Sequence, residues 1–216
     1  MKLVVLGPPG AGKGTQAIML AERLHIVHIA TGDMLREQIA LKTELGTRIS
    51  RTINAGQFVP NELVFELVKK RLKDSDAKGG FVLDGFPRTI EQALMMDVTD
   101  GLSDIELVCS LAVPDSVIIE RMSGRLTCSQ CGAMFHLVYS PPQAAGICDD
   151  CGAGLYQRPD DKAETVVERL KLYHARTEPI INFYTGRGLL VTVDAAGDIA
   201  TVSERTIRAV TDKGAR

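Results

Sequence analysis

A glycine-rich loop near the start of the chain has the residue types needed to bind phosphate groups. The sequence GPPGAGKG, residues 7–14, fits the phosphate-binding pattern G-x-x-x-x-G-K as far as Lys13. In that pattern a Ser or Thr that binds magnesium normally comes next, but here Gly14 follows and Thr15 comes one place later. A short apolar run precedes the loop and a helical pattern follows it. We therefore expect backbone N–H groups and a helix N-terminus to face anionic oxygens, with Lys13 adding a positive charge.

Two other interpretations of this loop fit less well. The dinucleotide-binding pattern G-x-G-x-x-G starts acceptably at Gly10 and Gly12, but Thr15 occupies the place of its third glycine and a lysine lies within the turn. A glycine-rich turn without a ligand would need neither the strand before it nor the helix after it. The local sequence therefore favours phosphate binding.

Four of the five cysteines have the spacing of a metal site. Their pattern is C-x2-C-x16-C-x2-C, at Cys128, Cys131, Cys148 and Cys151. Two such pairs separated by 16 residues are typical of zinc sites. Gly132 and Gly152 follow the second cysteine of each pair, where a tight turn needs a permissive backbone. Four thiolates would fill a tetrahedral zinc ion, so the site would be structural. Disulfides or a redox dithiol are the alternatives, which a cytosolic chain disfavours.

The composition indicates an ordinary globular protein. Hydrophobic residues make up 45% of the 216 residues and charged residues 24%, and no apolar run approaches the length of a membrane span. The net charge of −2 argues against non-specific binding to nucleic acid. The chain begins with a β-rich run and not with a charged stretch followed by an apolar signal segment. We therefore expect a cytoplasmic protein.

Short apolar runs alternate with helical patterns along the chain. The predicted strands are residues 2–7, 27–30, 80–84, 106–112 and 189–193. This alternation predicts an α/β fold with a five-stranded parallel sheet between two layers of helices. Thr31 follows the second strand, and we expect it to cap the next helix.

Two segments do not fit the alternation, and both are predicted to be insertions into a core domain. Residues 30–59 hold helical patterns with no strand, and residues 124–161 hold the four cysteines, SPPQAAG and several glycines. The core would comprise residues 1–29, 60–123 and 162–216. Insertions at the carboxyl ends of strands lie where open α/β sheets bind ligands.

Six arginines lie at the borders of these insertions or beside glycine and proline. They are Arg36, Arg88, Arg121, Arg125, Arg158 and Arg169. Solvated surface charge is the alternative explanation for them, since most arginines are exposed.

Taken together, the motifs resemble those of the adenylate kinase family. The motifs are GPPGAGKGTQ, TGDMLR, DGFPRTIEQA and YQRPDDKAETVVERL. The cysteine-containing insertion is similar to that of bacterial members with a long, zinc-containing lid. The resemblance implies a P-loop three-layer fold with an AMP-binding insertion at 30–59 and a zinc-ribbon lid at 124–161. It also implies a monomer that transfers a phosphoryl group reversibly from MgATP to AMP to give two ADP, without a nucleic-acid or membrane partner.

The resemblance also implies the residues of the site. Those expected to contact ATP are Gly10, Ala11, Gly12, Lys13, Gly14, Thr15, Arg121, Arg125, Met134, Phe135 and Gly197. Those expected to contact AMP are Thr31, Arg36, Gln57, Phe58, Val59, Gly85, Phe86, Pro87, Arg88, Gln92, Arg158 and Arg169. The charged groups expected to act on the transferred phosphoryl group are Lys13, Arg88, Arg125, Arg158 and Arg169. Phe135 stands where the family often has tyrosine, which keeps the ring and removes a hydroxyl. The Phe86–Pro87 bond is expected to be cis.

Magnesium binding needs a separate hypothesis because Gly14 offers no hydroxyl. We expect phosphates and waters to hold Mg²⁺, with Asp33 and Asp84 ordering those waters, since Mg²⁺ commonly keeps several waters. Thr15 would then serve the phosphates. No general base is needed, because the second phosphate pKa of a nucleoside monophosphate is about 6.

Two alternative functions are kept open. Another nucleoside monophosphate kinase would share most of these motifs. A nucleotide-gated nucleic-acid-binding protein would instead use the cysteine segment as a zinc ribbon, which requires a basic surface. Residues 128–151 contain His136 but no Lys or Arg, which disfavours that second alternative.

Overall fold

The computed structural model describes residues 1–214, which form an α/β fold on a parallel sheet. The strands are β1 (Lys2–Leu6), β2 (Val27–Ala30), β3 (Phe81–Asp84), β4 (Leu107–Ala112), β5 (Arg125–Cys128), β6 (Met134–His136), β7 (Leu155–Tyr156) and β8 (Leu190–Asp194). The main sheet has the order β2-β3-β1-β4-β8, with every neighbouring pair parallel. The five predicted strands are confirmed to within one residue. Residues 215 and 216, at the end of the predicted core range, lie outside the described residues.

Helices cover both faces of this sheet. They are α1 (Lys13–Leu24), α2 (Thr31–Ala40), α3 (Glu44–Asn54), α4 (Asn61–Arg71), α5 (Ile90–Asp97), α6 (Asp115–Ser123), α7 (Ala163–Leu172), α8 (Pro179–Thr185) and α9 (Ile199–Gly214). Along β1, Val4 and Leu6 pack on the side of α2, α4, α5 and α8, whereas Leu3 and Val5 pack on the side of α1, α6, α7 and α9. Because both faces are buried, the strand is apolar at nearly every position.

The segment from residue 30 to residue 59 contains α2 and α3 packed closely together. A Cβ atom on Gly46 would lie 1.9 Å from the carbonyl oxygen of Gln38, so no larger residue fits between the two backbones. Thr43 precedes α3 and caps it by accepting a hydrogen bond from the Gly46 amide (3.0 Å).

The predicted capping role of Thr31 is wrong. Thr31 is the first residue of α2, and Ala30 is the residue before the helix, with no side-chain cap. The Thr31 hydroxyl instead points towards the main-chain oxygens of Asp84 (3.1 Å) and Gly85 (2.9 Å). It therefore ties the start of α2 to the end of β3, a tertiary contact that the local pattern around residue 31 does not encode.

The segment from residue 124 to residue 161 contains a small antiparallel sheet of its own. Its strand order is β6-β5-β7. Leu137, Val138 and Ile147 are exposed large apolar residues here, so the segment has little core. The hydroxyl of Tyr139 donates to the carboxylate of Glu120 on α6, which joins this sheet to the helix before it.

A turn of π-helix (Tyr173–Thr177) follows α7 and leads the chain into α8. The Thr177 hydroxyl donates to the main-chain oxygen of Arg88 (2.9 Å). The His174 ring lies between Glu178 (Nδ1 to Oε2, 2.9 Å) and Asp115 at the start of α6 (Nε2 to Oδ2, 3.0 Å). The His174 contact with Asp115 joins the π-helical turn to α6, and the Thr177 contact joins the same turn to the main chain at Arg88.

Among residues 1–214, no helix combines the length and the apolar character that a membrane span requires.

The His174 contacts generate a prediction about pH. Glu178 and Asp115 raise the pKa of His174, so its two ion pairs are complete below the ordinary value of about 6.5 and are lost as pH rises through the raised value. His174→Asn should lower the free energy of unfolding at pH 6 by less than about 1 kcal/mol, because the groups are exposed. Urea titration should show the difference from wild type shrinking by about pH 9.

His25→Asn is the matched control, because His25 is exposed and has a φ of 55°, which asparagine tolerates. It should leave the pH dependence unchanged. An equal loss of stability by His174→Asn at both pH values would contradict the ion-pair explanation.

Candidate active site

The glycine-rich loop joins β1 to α1 and packs closely against α6. A Cβ on Gly10, whose φ is 79°, would lie 2.7 Å from Cγ of Met122. Gly12 has a φ of 89° and is the residue immediately before α1. A Cβ on Gly14 would lie 3.4 Å from a carboxylate oxygen of Asp84 and 3.5 Å from the methyl group of Met134. The missing Gly14 side chain therefore keeps open a space between the end of β3 and the small antiparallel sheet.

Lys13 and Asp84 form the charged part of this loop. The Lys13 ammonium donates to the Pro8 carbonyl (2.8 Å). Burial lowers the pKa of Lys13 to about 7, although Asp84 acts to raise it. Burial acts to raise the pKa of Asp84, but His28 and Lys13 outweigh it and hold that pKa below its usual range. An anionic ligand on the loop would restore the full charge of Lys13.

A first cavity, open to solvent, lies between the segment 30–59 and the main body. Its walls contain many of the residues expected to contact AMP: Thr31, Arg36, Gln57, Phe58, Val59, Arg88, Gln92 and Arg169. Gly85 and Pro87 instead line a second open cavity, together with Lys13. Phe86 is fully buried in the core, so only its main chain is available to a ligand, and the Phe86–Pro87 bond is cis as expected.

Arg88 and Arg169 line both cavities. The Nε of Arg88 donates to the Gly85 carbonyl (2.7 Å), and its guanidinium lies 5.6 Å from the centre of the Phe58 ring. Burial lowers the pKa of Arg88. The two cavities therefore share a wall at Arg88 and Arg169, whose positive charges are shielded from water.

Gln92 is held by two protein partners. Its side-chain oxygen accepts from the Arg88 amide (2.7 Å), and its side-chain nitrogen donates to Asn61 (2.9 Å). These contacts fix the orientation of the amide and leave one N–H of Gln92 for a ligand.

Asp160 and Asp161, to which the sequence motifs gave no role, form ion pairs with two of the arginines. Asp160 accepts from Arg169 (2.5 Å), and Asp161 accepts from both Nε (2.7 Å) and Nη2 of Arg125. Asp161 is fully buried. In the sequence, Asp160 and Asp161 are visible only as an acidic pair shortly after Arg158. The ion pair between Asp161 and Arg125 joins residues 36 positions apart, so it cannot be inferred from local spacing.

Arg158 is buried, and its Nε has no hydrogen-bond partner among residues 1–214. Burial lowers the pKa of Arg158 to about 10, with Arg36 and Arg125 acting in the same direction. Arginine still keeps its charge at this value. The three arginines Arg125, Arg158 and Arg169 therefore carry more positive charge than Asp160 and Asp161 neutralise. This excess favours the binding of an anion.

The remaining predicted residues lie around this centre. Asp33 is exposed and pairs with Arg36 (2.5 Å), whereas Asp84 lies beside the glycine loop. Phe135 lies on β6 opposite Leu126. Arg121 donates to main-chain oxygens of the β8–α9 loop, one of them that of Gly197 (2.9 Å).

Comparison with known proteins identifies the family of this chain. A family model described as adenylate kinase matches residues 5–189. The chain belongs to the adenylate kinase family. It is 51% identical over 212 residues to the adenylate kinase of Caldicellulosiruptor saccharolyticus, covering 97% of this chain and 99% of that protein. The adenylate kinases of Streptomyces griseus (48% over 213 residues, 97% of each chain) and Archaeoglobus fulgidus (46% over 215 residues, 99% of each chain) are similarly close.

In this member of the adenylate kinase family the four cysteine sulfurs converge. The Sγ atoms of Cys128 and Cys151 lie 3.4 Å apart, those of Cys131 and Cys148 lie 3.6 Å apart, and all four lie within 4.8 Å of one another. All are free thiols. The arrangement is compatible with a tetrahedral Zn²⁺ site.

The turns beside these cysteines have the geometry that the sequence predicted. Gly132 has a φ of 76° and Gly152 a φ of 74°. In addition, the Gln130 amide points at the sulfur of Cys128 (3.4 Å). Such N–H groups favour the thiolate form that a metal requires.

Proposed function

We propose that this chain transfers a phosphoryl group reversibly between MgATP and AMP, forming two ADP. The observation that carries the proposal is the meeting of two cavities at Arg88 and Arg169, with Lys13 in the wall of one of them. In-line transfer needs a donor and an acceptor phosphate held end to end, with positive charge where they meet.

On the donor side, the ATP phosphates would lie along residues 10–15. The helix N-terminus and the Lys13 ammonium would bind their oxygens. The open space beside Gly14 lets the chain approach the phosphates closely. Met134 and Phe135 bring the small antiparallel sheet to the same nucleotide, a role supported by the position of Met134 next to Gly14.

On the acceptor side, AMP would occupy the first cavity. Arg36 and Arg88 would bind its phosphate, and residues 57–59 and 85–87 would offer mainly main-chain contacts. The one free N–H of Gln92 would donate to a ring nitrogen of the adenine. This N–H is suitable because the other groups of the Gln92 amide are already paired.

The transferred phosphoryl group would be stabilised by Lys13 and by the clustered arginines. Positioning and electrostatic stabilisation dominate this kind of reaction, so a protein nucleophile is unnecessary. Arg125 and Arg169 are held in place by aspartates, whereas the buried Nε–H of Arg158 has no hydrogen-bond partner among residues 1–214 and would suit a phosphoryl oxygen once the site closes. AMP needs no general base, because its phosphate is already mostly ionised near neutral pH.

Two metal ions belong to this proposal. Mg²⁺ bound to ATP would neutralise charge on the phosphates, and Asp84 and Asp33 would order its waters. Zn²⁺ would be held by Cys128, Cys131, Cys148 and Cys151. With four thiolate ligands it has no position for a nucleotide, so its role is to order the small sheet.

We further propose a division of the chain into a core (1–29, 60–123 and 162–216) and two segments that close on it. The segment 124–161 would exclude water from the reaction, as lids in adenylate kinases are known to do. Action as a monomer is part of this proposal, as the resemblance to the family implies. The absence of Lys and Arg from residues 128–151 supports a lid and not a nucleic-acid-binding ribbon.

A coupled assay of MgATP with AMP, GMP, CMP and UMP in turn tests the proposed reaction. We expect rapid ADP formation with AMP and little with the other three. Stronger transfer to GMP, CMP or UMP than to AMP would show that the chain is another nucleoside monophosphate kinase.

Arg88→Ala should weaken AMP binding by about 10- to 100-fold, the effect of losing one or two hydrogen bonds to a charged phosphate. The affinity for ATP should change much less. Separate calorimetric titrations with AMP and with MgATP measure both. Arg71→Ala is the control, because Arg71 pairs with Asp76 on the surface and lines neither cavity. Equal weakening of both nucleotides would contradict the acceptor-side role.

Cys148→Ser should remove the metal and lower the thermal midpoint, while some phosphoryl transfer persists at low temperature. Elemental analysis should give about one zinc per wild-type chain, as one Cys₄ site requires. Cys109→Ala should keep that zinc, because Cys109 is buried in β4. A folded, metal-free variant with no activity at low temperature would show that zinc takes part in the reaction.

A further inference from the structure

The loop between β8 and α9 is held through its carbonyl groups. Arg121 donates from Nη2 to the oxygens of Ala195 (3.0 Å) and Gly197 (2.9 Å). Arg205 donates from Nη1 to the oxygens of Asp194 and Ala196 (both 3.2 Å). Four successive carbonyls are thus bound alternately by an arginine from α6 and an arginine from α9.

Further contacts fix the two ends of the loop. The Ala195 amide donates to Ala112 on β4 (2.9 Å), and the Gln16 side chain reaches the Ile199 oxygen (3.4 Å). Gly197 has a φ of 138°, a conformation that side chains disfavour, although a Cβ there would have space. The glycine is therefore needed for the direction of the backbone and not for close packing.

The loop lies next to the phosphate-binding loop. Arg121 is adjacent on α6 to Met122, which contacts Gly10, and Gln16 directly follows Thr15. We therefore expect a nucleotide whose phosphates lie along residues 10–15 to place its base near the β8–α9 loop.

Carbonyl oxygens accept hydrogen bonds and do not donate them. Each has two lone pairs, so an arginine bond leaves one lone pair for a ligand. The exocyclic amino group of a 6-aminopurine can donate to such an oxygen, whereas the oxygen of a 6-oxopurine faces it with like partial charge. A polar site rejects a base with the wrong pattern only if its groups cannot turn away.

We propose that Arg205 is a positioning residue that sets the choice between adenine and guanine at the donor site. It fixes the carbonyls of Asp194 and Ala196, while Arg121 fixes those of Ala195 and Gly197. The inference rests on the proposed function in one respect, namely that the donor phosphates occupy residues 10–15. The hydrogen-bond acceptors that the structure gives for Arg205 all belong to Asp194 and Ala196, so we expect it to act through the loop and not by touching the nucleotide.

The test compares dissociation constants of MgATP and MgGTP, measured by calorimetry on the full chain. In Arg205→Ala the preference for ATP over GTP should fall about tenfold, the scale of one lost discriminating contact. The affinity for AMP should not change. Arg205→Lys should recover part of the preference, because an ammonium can still donate to the loop carbonyls.

Arg208→Ala is the matched control, since Arg208 lies on the same helix, is highly exposed and pairs only weakly with Asp212 (3.6 Å). It should keep the wild-type preference. A thermal melt of each variant separates the two roles, because a merely structural Arg205 would lower the midpoint without changing the ratio.

An unchanged ATP-to-GTP ratio in Arg205→Ala would overturn the inference, as would a wild-type protein that binds both nucleotides equally. If Arg205→Ala does not fold, Arg205→Lys decides by the same ratio. Failure of the proposed function has a different signature, because a wild-type protein that prefers ATP yet forms no ADP from ATP and AMP would contradict only the phosphoryl transfer.

Discussion

The site depends on positive charge that is removed from water and only partly neutralised. Burial lowers the pKa of Arg169 and of Arg158 to about 10, because removal from water disfavours the charged form. Asp160 and Asp161 hold Arg169 and Arg125 in fixed directions but cannot balance the whole cluster. Phosphate groups bound there, as we propose, would supply the missing negative charge.

This charge comes from segments that are distant in sequence, and short polar contacts align them. Thr31 connects α2 to the end of β3, and Thr177 connects the π-helical turn to the main chain of Arg88. A π-helical turn changes the direction of successive side chains, and such turns are frequent at functional sites. In this chain it places Thr177 and Tyr173 in the wall of the second cavity, beside Arg88 and Lys13.

The sequence predicted those features that local pattern determines. The central strands are apolar on both faces, and glycines at positive φ mark the phosphate-binding loop and the cysteine turns, so their positions could be inferred. The capping role of Thr31 was predicted wrongly, because the partners of its hydroxyl lie more than fifty residues away. For the same reason the Asp161–Arg125 pair and the Asn61–Gln92 contact were not foreseen, since long-range side-chain pairing leaves no periodic signal.

The lowered pKa of Lys13 links nucleotide binding to proton exchange with the solvent. A pKa lowered to about 7 means that part of the ammonium population is uncharged at neutral pH before a ligand arrives. Phosphates beside it favour the charged form, so binding takes up part of a proton from the solution. The heat measured on adding a nucleotide therefore includes the ionisation heat of the buffer, and two buffers of the same pH would give different enthalpies for the same complex.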